Sequence, residues 1–157
     1  MKLSSGWEQS VYVLLILSQL PDSKTINSQS LSLRLGTSHS YLKKIIKLLV
    51  NEGLITSVPG KYGGFSLAKS LENITFYDVF IAIEGRGKIF ASQQLLKNFL
   101  GENEGKKAHK CAVTNSLDVI ENTLVTTLSS ISLDQVFNQI SSNYDLKELK
   151  EWIKSNV

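Results

Sequence analysis

Between Ser28 and Leu67 the hydrophobic period switches from helical to strand-like, and that switch limits the chain to a small set of folds. Ser28 or Ser30 can cap a short helix running through Arg34 or Leu35, and Gly36 then supplies the backbone freedom for a sharp turn. Ser38 can cap a following helix to about Asn51, in which Leu42, Ile45, Ile46 and Leu49 form one apolar stripe at i, i+3, i+4 and i+7. The opposite face carries Ser40, Lys44, Lys47 and Asn51, with Lys43 on its flank and no acidic residue. After Gly53 the pattern becomes that of a hairpin. Residues 54–58 read as a strand, 59–64 as a turn rich in Pro and Gly, and 65–67 as a returning strand.

The flanking segments are helical. A first helix is expected over Ser4–Gln19, ended by Leu20-Pro21-Asp22. Its apolar residues occupy more than one face, so it should be buried on two sides, one of which could be a partner subunit. A fourth helix should begin at Thr75, with Asp78 as its capping-box partner, and end at Gly85. A short helix is expected around Gln93–Leu100. From about Cys111 a long helix should carry Val113, Leu117, Ile120, Leu124, Leu128 and Ile131, spaced 4, 3, 4, 4 and 3, a seam that wants another helix against it. A last amphipathic helix, about Asp145–Ser155, can bury Leu146, Leu149 and Ile153 beside Trp152.

A helix, a Gly turn and a second helix with outward lysines meet the physical requirement for a helix-turn-helix, and the hairpin directly behind supplies a wing. The expected fold is therefore α+β, mostly α: a winged helix-turn-helix head over about residues 1–85 and a signal-and-dimer region over 86–157, ending in a long C-terminal dimerisation helix. Candidate contacts to double-stranded DNA are Arg34, Thr37, Ser38, His39, Ser40, Tyr41, Lys43, Lys44 and Lys47 around the recognition helix, with Lys61, Tyr62 and Lys69 from the wing. Charge placement agrees. Residues 1–70 hold eight Lys/Arg against three Asp/Glu, while residues 71–157 hold nine against eleven. The alternative is a winged helix that contacts another protein and no longer binds DNA.

Other classes find little support. The chain has no Walker-type phosphate loop, no G-x-S-x-G elbow and no H-E-x-x-H, so an enzyme is not expected. His39 and His109 are far apart without ligand spacing, and neither is read as a metal ligand. The longest apolar run, residues 11–17, is far short of a membrane span, and no signal peptide is evident, so a cytoplasmic protein is expected. The single cysteine, Cys111, excludes an intrachain disulfide. Lys106, Lys107, His109 and Lys110 beside it, with a helix N-terminus near, would lower its pKa and make it a redox sensor; the alternative is an inert, partly buried residue.

Four stretches also resemble the Rrf-two family of bacterial transcription regulators. They are Ser38-His39-Ser40-Tyr41-Leu42-Lys43-Lys44-Ile45, Asn51-Glu52-Gly53-Leu54-Ile55, residues 60–69 with their Gly-Gly-aromatic-x-Leu-Ala-basic wing, and Ile74–Val79 leading to Ala82-Ile83-Glu84-Gly85. The resemblance implies a homodimer built by the long helix; the stripe Val113, Leu117, Ile120, Leu124 and Leu128 would hold it, and its two-fold symmetry would call for a palindromic operator. It also implies transcriptional repression or activation relieved by a signal, here an oxidant or a small-molecule effector; of the two signs, a repressor is expected. The family's sensing branch holds a 2Fe-2S cluster through three cysteines ahead of the dimerisation helix. Here that stretch offers only Cys111, which looks like the third of them, so no cofactor is expected. The family often has an acid where this chain has Lys43.

Overall fold

In the computed structural model of the chain, residues 3–101 and 111–157 are described. They form, in order, α1 (Ser5–Leu17), α2 (Ser28–Leu35), α3 (His39–Asn51), β1 (Ile55–Val58), β2 (Gly64–Leu67), a 3-10 turn at Leu71–Asn73, α4 (Phe76–Glu84), α5 (Leu96–Leu100), α6 (Ala112–Ser129), α7 (Leu133–Asn143) and α8 (Lys147–Asn156). This is the mostly helical α+β architecture expected, with the small hairpin directly behind α2 and α3. Among the described residues no helix is long and apolar enough to cross a membrane.

α1 is the central helix of the core. Val11 and every residue from Val13 to Leu17 are buried, and Ser10 is tolerated there because its hydroxyl donates to the Gly6 carbonyl at 2.6 Å. The second apolar face of α1 meets this chain's own C-terminal helices, which corrects the option of a partner subunit there. Leu15 and Ile16 share a cleft with Phe137 and Ile140 of α7 and Leu149 of α8. Covering that face with one's own helices removes apolar area from water at about 25 cal/mol per Å², without waiting for a second chain.

α2 starts one residue earlier than a Ser28 cap, and three earlier than a Ser30 cap, would require. Its N-cap is Asn27, whose side-chain oxygen accepts from the Ser30 N–H at 2.8 Å; the Ser28 hydroxyl lies 3.0 Å from His39 Nε2 instead. Gly36 ends the helix in the left-handed region, φ 61°, and the Thr37 N–H closes the turn onto the Ser32 carbonyl. Ser38 is the N-cap of α3 by position, but its hydroxyl lies 3.1 Å from that of Ser40 and makes no capping bond.

β1 and β2 pair antiparallel with Ile55 opposite Leu67 and Val58 opposite Gly64. Ile26 adds a one-residue bridge to Phe65 through two backbone bonds of 3.1 and 2.9 Å, a pairing that no local pattern announces. The expected capping box at α4 forms: the Thr75 hydroxyl accepts from the Asp78 N–H, and the Asp78 carboxylate accepts from the Thr75 N–H at 2.7 Å.

Three elements differ from expectation. α5 is shorter than the predicted 93–100. α6 stops at Ser129, so Ile131 lies beyond it, and a separate helix, α7, follows. A second capping box, Ser132 with Gln135, starts α7. Its entry is stitched to the entry of α4: Phe76 N–H donates to the Ile131 carbonyl at 2.9 Å, and Leu133 N–H to the Ile74 carbonyl at 2.8 Å. The core therefore does not close within residues 1–85. Leu133 is fully buried in it, and Val136, Phe137, Ile140, Leu149 and Trp152 pack against it.

Candidate nucleic-acid interface

The rotation of α3 is set from inside. Leu42, Ile45, Ile46 and Leu49 are all buried, and Gly6 lets α1 approach so closely that a Cβ there would meet Ile45 Cδ1. With that stripe inward, Ser40, Lys43, Lys44, Lys47 and Asn51 are all exposed. α3 itself contains no acid. The nearest, its C-cap residue Glu52, is paired with Arg86 and so does not offset the lysines.

The wing is held stiffly. Its turn closes with Gly63 N–H donating to the Gly60 carbonyl at 3.0 Å, and the Thr25 hydroxyl reaches the Tyr62 carbonyl at 3.5 Å. A Cβ on Gly64 would sit 2.6 Å from the Ile26 carbonyl oxygen, so the hairpin lies against the Ile26 backbone with no space between. At its tip Lys61 is exposed, Tyr62 is 88% exposed, and the Lys61 ammonium lies 5.6 Å from the Tyr62 ring centroid. The geometry thus offers one exposed cationic helix and one rigid, cation-tipped hairpin, the pair of features that fits a groove and its flanking phosphates.

The remaining predicted contacts are placed differently. Arg34 turns away from α3 and onto α8, pairing with Glu148 at 3.0 Å and lying 5.4 Å from the Trp152 ring centroid. Tyr41 is half-buried against the start of α1, where its hydroxyl accepts from Ser5 at 3.4 Å. His39 is committed to Ser28 and joins α2 to α3, and the Thr37 hydroxyl is buried. Lys69 follows β2 and is half-buried, off the wing tip, whereas Ser38 is exposed. The sequence places these side chains outward because it shows the helical face and not the distant partner that claims it. Lys24 is a further exposed cation beside the wing. It precedes Thr25, which is bonded to the wing, and no periodicity marks such a loop residue.

Cys111 is the N-cap residue of α6 and half-buried. The backbone N–H groups of Thr114 and Val113 favour its thiolate and hold its pKa below the ordinary cysteine value, partly opposed by desolvation. The predicted contributions of Lys106, Lys107, His109 and Lys110 lie outside the described residues. With Phe90, Leu95, Leu96, Phe99 and Val113, Cys111 borders an apolar cavity of about 550 Å³. Along α6, Val113, Val119 and Ile120 are each 64% exposed, and Leu117 and Leu124 are half-buried. Leu128 is only 8% exposed within the single chain, which corrects its assignment to an outward seam. Val119, which the four-and-three spacing skipped, stands beside Ile120 instead.

A family model described as an iron-dependent transcriptional regulator, Rrf2, matches residues 3–139. The chain is 64% identical to YffB of Lactococcus lactis, named as an HTH-type transcriptional regulator, over 98% of this chain and 97% of that protein. It is 40% identical to a second protein so named, YwgB of Bacillus subtilis, over 100% and 97% of the two chains. Its fold is similar to that of CymR, the global cysteine regulator of B. subtilis, with a TM-score of 0.67 and 19% identity over 89% of this chain and 98% of that one. The iron in the family's description finds no fitting donor set here. The whole chain has one cysteine, a 2Fe-2S cluster normally takes four protein ligands, and among the described residues no group of three His, Cys, Asp or Glu side chains comes together.

Proposed function

The chain belongs to the Rrf2 family of transcriptional regulators, and from that membership we propose that it binds duplex DNA as a homodimer on an approximately palindromic operator. The observation that carries the reading is the acid-free, exposed face of α3 set beside the exposed wing tip. α3 enters the major groove through Ser40, Lys43, Lys44 and Lys47, and the wing places Lys61 and Tyr62 on the neighbouring backbone. Two heads related by a two-fold axis read half-sites about 34–36 Å apart, or a multiple of that. α6 supplies the contact between subunits through Val113, Val119 and Ile120, because three large apolar side chains on one helix are left to solvent in the single chain. Such a regulator works in the cytoplasm, where its DNA is.

The test is electrostatic. If the two heads neutralise about eight phosphates, log affinity falls with log salt at a slope near about −7, and Lys61→Ala makes the slope shallower by about 2 because the dimer loses two contacts. A wild-type slope near zero excludes DNA binding and favours a protein-contact role. If the signal is covalent it is read through Cys111, whose thiolate is favoured at the head of α6; otherwise the effector is a small molecule. Oxidant then changes DNA affinity in the wild type and not in Cys111→Ser; equal responses would make Cys111 structural.

A further inference from the structure

We propose that the cleft between α1, α7 and α8 is a binding site for a small apolar α-amino acid, taken up as the zwitterion. The cleft holds about 250 Å³, and its walls are Leu15 and Ile16 of α1, Phe137 and Ile140 of α7, and Leu149 of α8. Drug-sized ligands occupy roughly 300–1,000 Å³, so this space suits the body of a smaller metabolite. Its mouth is charged. Arg34, Asp145 and Glu148 line it, with Tyr12 on the α1 side.

Arg34 is the anchor. Its side chain is 27% exposed and one guanidinium nitrogen donates to Glu148, whose own side chain is 87% exposed. An exposed ion pair of this kind is weak and easily exchanged, and the guanidinium fork has donors to spare for an incoming carboxylate. On the other side of Arg34 and Tyr12 lies a second hollow of about 440 Å³, bordered by Glu8, Gln9, Leu35 and Thr37. There Gln9 Oε1 and Thr37 Oγ1 are buried without a hydrogen-bond partner among the described residues. Gln9 Oε1 is an acceptor without a donor and Glu8 borders the same hollow, so a cationic N–H group would satisfy the first and complement the charge of the second.

These charges select the ligand class. A simple carboxylate would gain Arg34 but face Glu8, Asp145 and Glu148; a simple amine would gain the acids but face Arg34. An α-amino acid satisfies both, with its carboxylate on Arg34, its ammonium toward Gln9 and Glu8, and its side chain among Ile16, Phe137 and Ile140. Asp145 is held back from competing because its carboxylate accepts from the Lys147 N–H at 2.9 Å. Arg34 lies in the last turn of α2 and Thr37 in the turn that leads into α3. Occupancy therefore acts at the joint that orients the recognition helix, a consequence that rests on the DNA-binding reading, whereas the binding itself does not.

Calorimetry on the full chain without DNA decides the matter. L-leucine and L-phenylalanine are the probes, with 4-methylpentanoate and 3-methylbutylamine as analogues of leucine lacking one charge each. One amino acid should bind per chain, and each analogue should bind about tenfold or more weakly, the worth of a charge-assisted contact. Arg34→Met and Ile140→Trp should abolish binding, the second by filling the cleft. Glu148→Gln alters only an exposed side chain and should tighten binding severalfold by freeing Arg34, so the test survives even if Arg34→Met misfolds. No heat from either amino acid at millimolar concentration, analogues that bind as well as leucine, or a Glu148→Gln protein indistinguishable from wild type would each overturn the proposal. Because no DNA is present, these outcomes are independent of whether the chain binds an operator.

Discussion

Gly64, like Gly63 before it, is a residue at which a single methyl group would run into backbone. A Cβ there would lie 2.6 Å from the Ile26 carbonyl oxygen and 2.7 Å from its carbonyl carbon, and backbone atoms cannot swing aside as a side-chain tip can. Overpacking of this sort costs about 1–3 kcal/mol. Gly64→Ala should therefore lower the urea midpoint by a corresponding amount, while Gly87→Ala, where nothing lies within 4 Å, should leave it unchanged. Equal midpoints for the two variants would mean that the wing gives way. Cys111 makes a second claim at this scale. Its pKa is lowered chiefly by the Thr114 and Val113 N–H groups, so the folded chain should hold a larger thiolate fraction than free cysteine at the same pH. Iodoacetamide labelling followed against pH should show its midpoint below that of the same chain in urea. Coincident midpoints would remove the helix N-terminus as a cause.

Among the elements, α3 and the hairpin were legible because their information is local. A four-residue stripe, a Pro-Gly turn and the Thr75–Asp78 capping box each lie within a few residues, and each forms as the sequence implies. α7 was hidden by its neighbour: Ile131 continues the spacing of α6, and that continuity masks the Ser132–Gln135 box that starts a new helix. Pairings such as Ile26 with Phe65 or Arg34 with Glu148 were not legible at all, since periodicity reports which faces are apolar or polar and not what each face meets. The same limit explains why four of the candidate DNA contacts, Arg34, Thr37, His39 and Tyr41, are engaged or buried within the chain while the three lysines of α3 are exposed, as is Ser40, whose hydroxyl meets only that of its neighbour Ser38. On α6 the exposed apolar residues give a clean test of the dimer. Ile120→Glu, at a position 64% exposed, should leave the fold intact, shift the sedimenting species from dimer to monomer and sharply weaken operator binding. A wild-type protein that sediments as a monomer at micromolar concentration would refute the arrangement.

Across the molecule, one core spans both ends of the chain. Leu14, Leu42 and Val79 are buried in the same cluster as Leu133, and Phe137, Leu149 and Trp152 lie against it. A chain cut after residue 130 would expose that face of α1 and lose the backbone bonds at Ile74 and Phe76, forfeiting about 1.5–3 kcal/mol for each large side chain no longer buried. Against a total stability of about 5–15 kcal/mol, the loss of several is decisive. The truncated chain should show no cooperative urea transition; a cooperative one would mean that the head folds without its C-terminal helices. The stitch between the starts of α4 and α7 also sets an order of events during synthesis. At about 5–20 residues per second a ribosome completes α3 and the wing well before it completes α7 and α8, so the nascent chain carries its reading head for seconds before that head can set. On the proposed reading, competence arrives only with α7 and α8, and a chain terminated before them is expected to bind no operator.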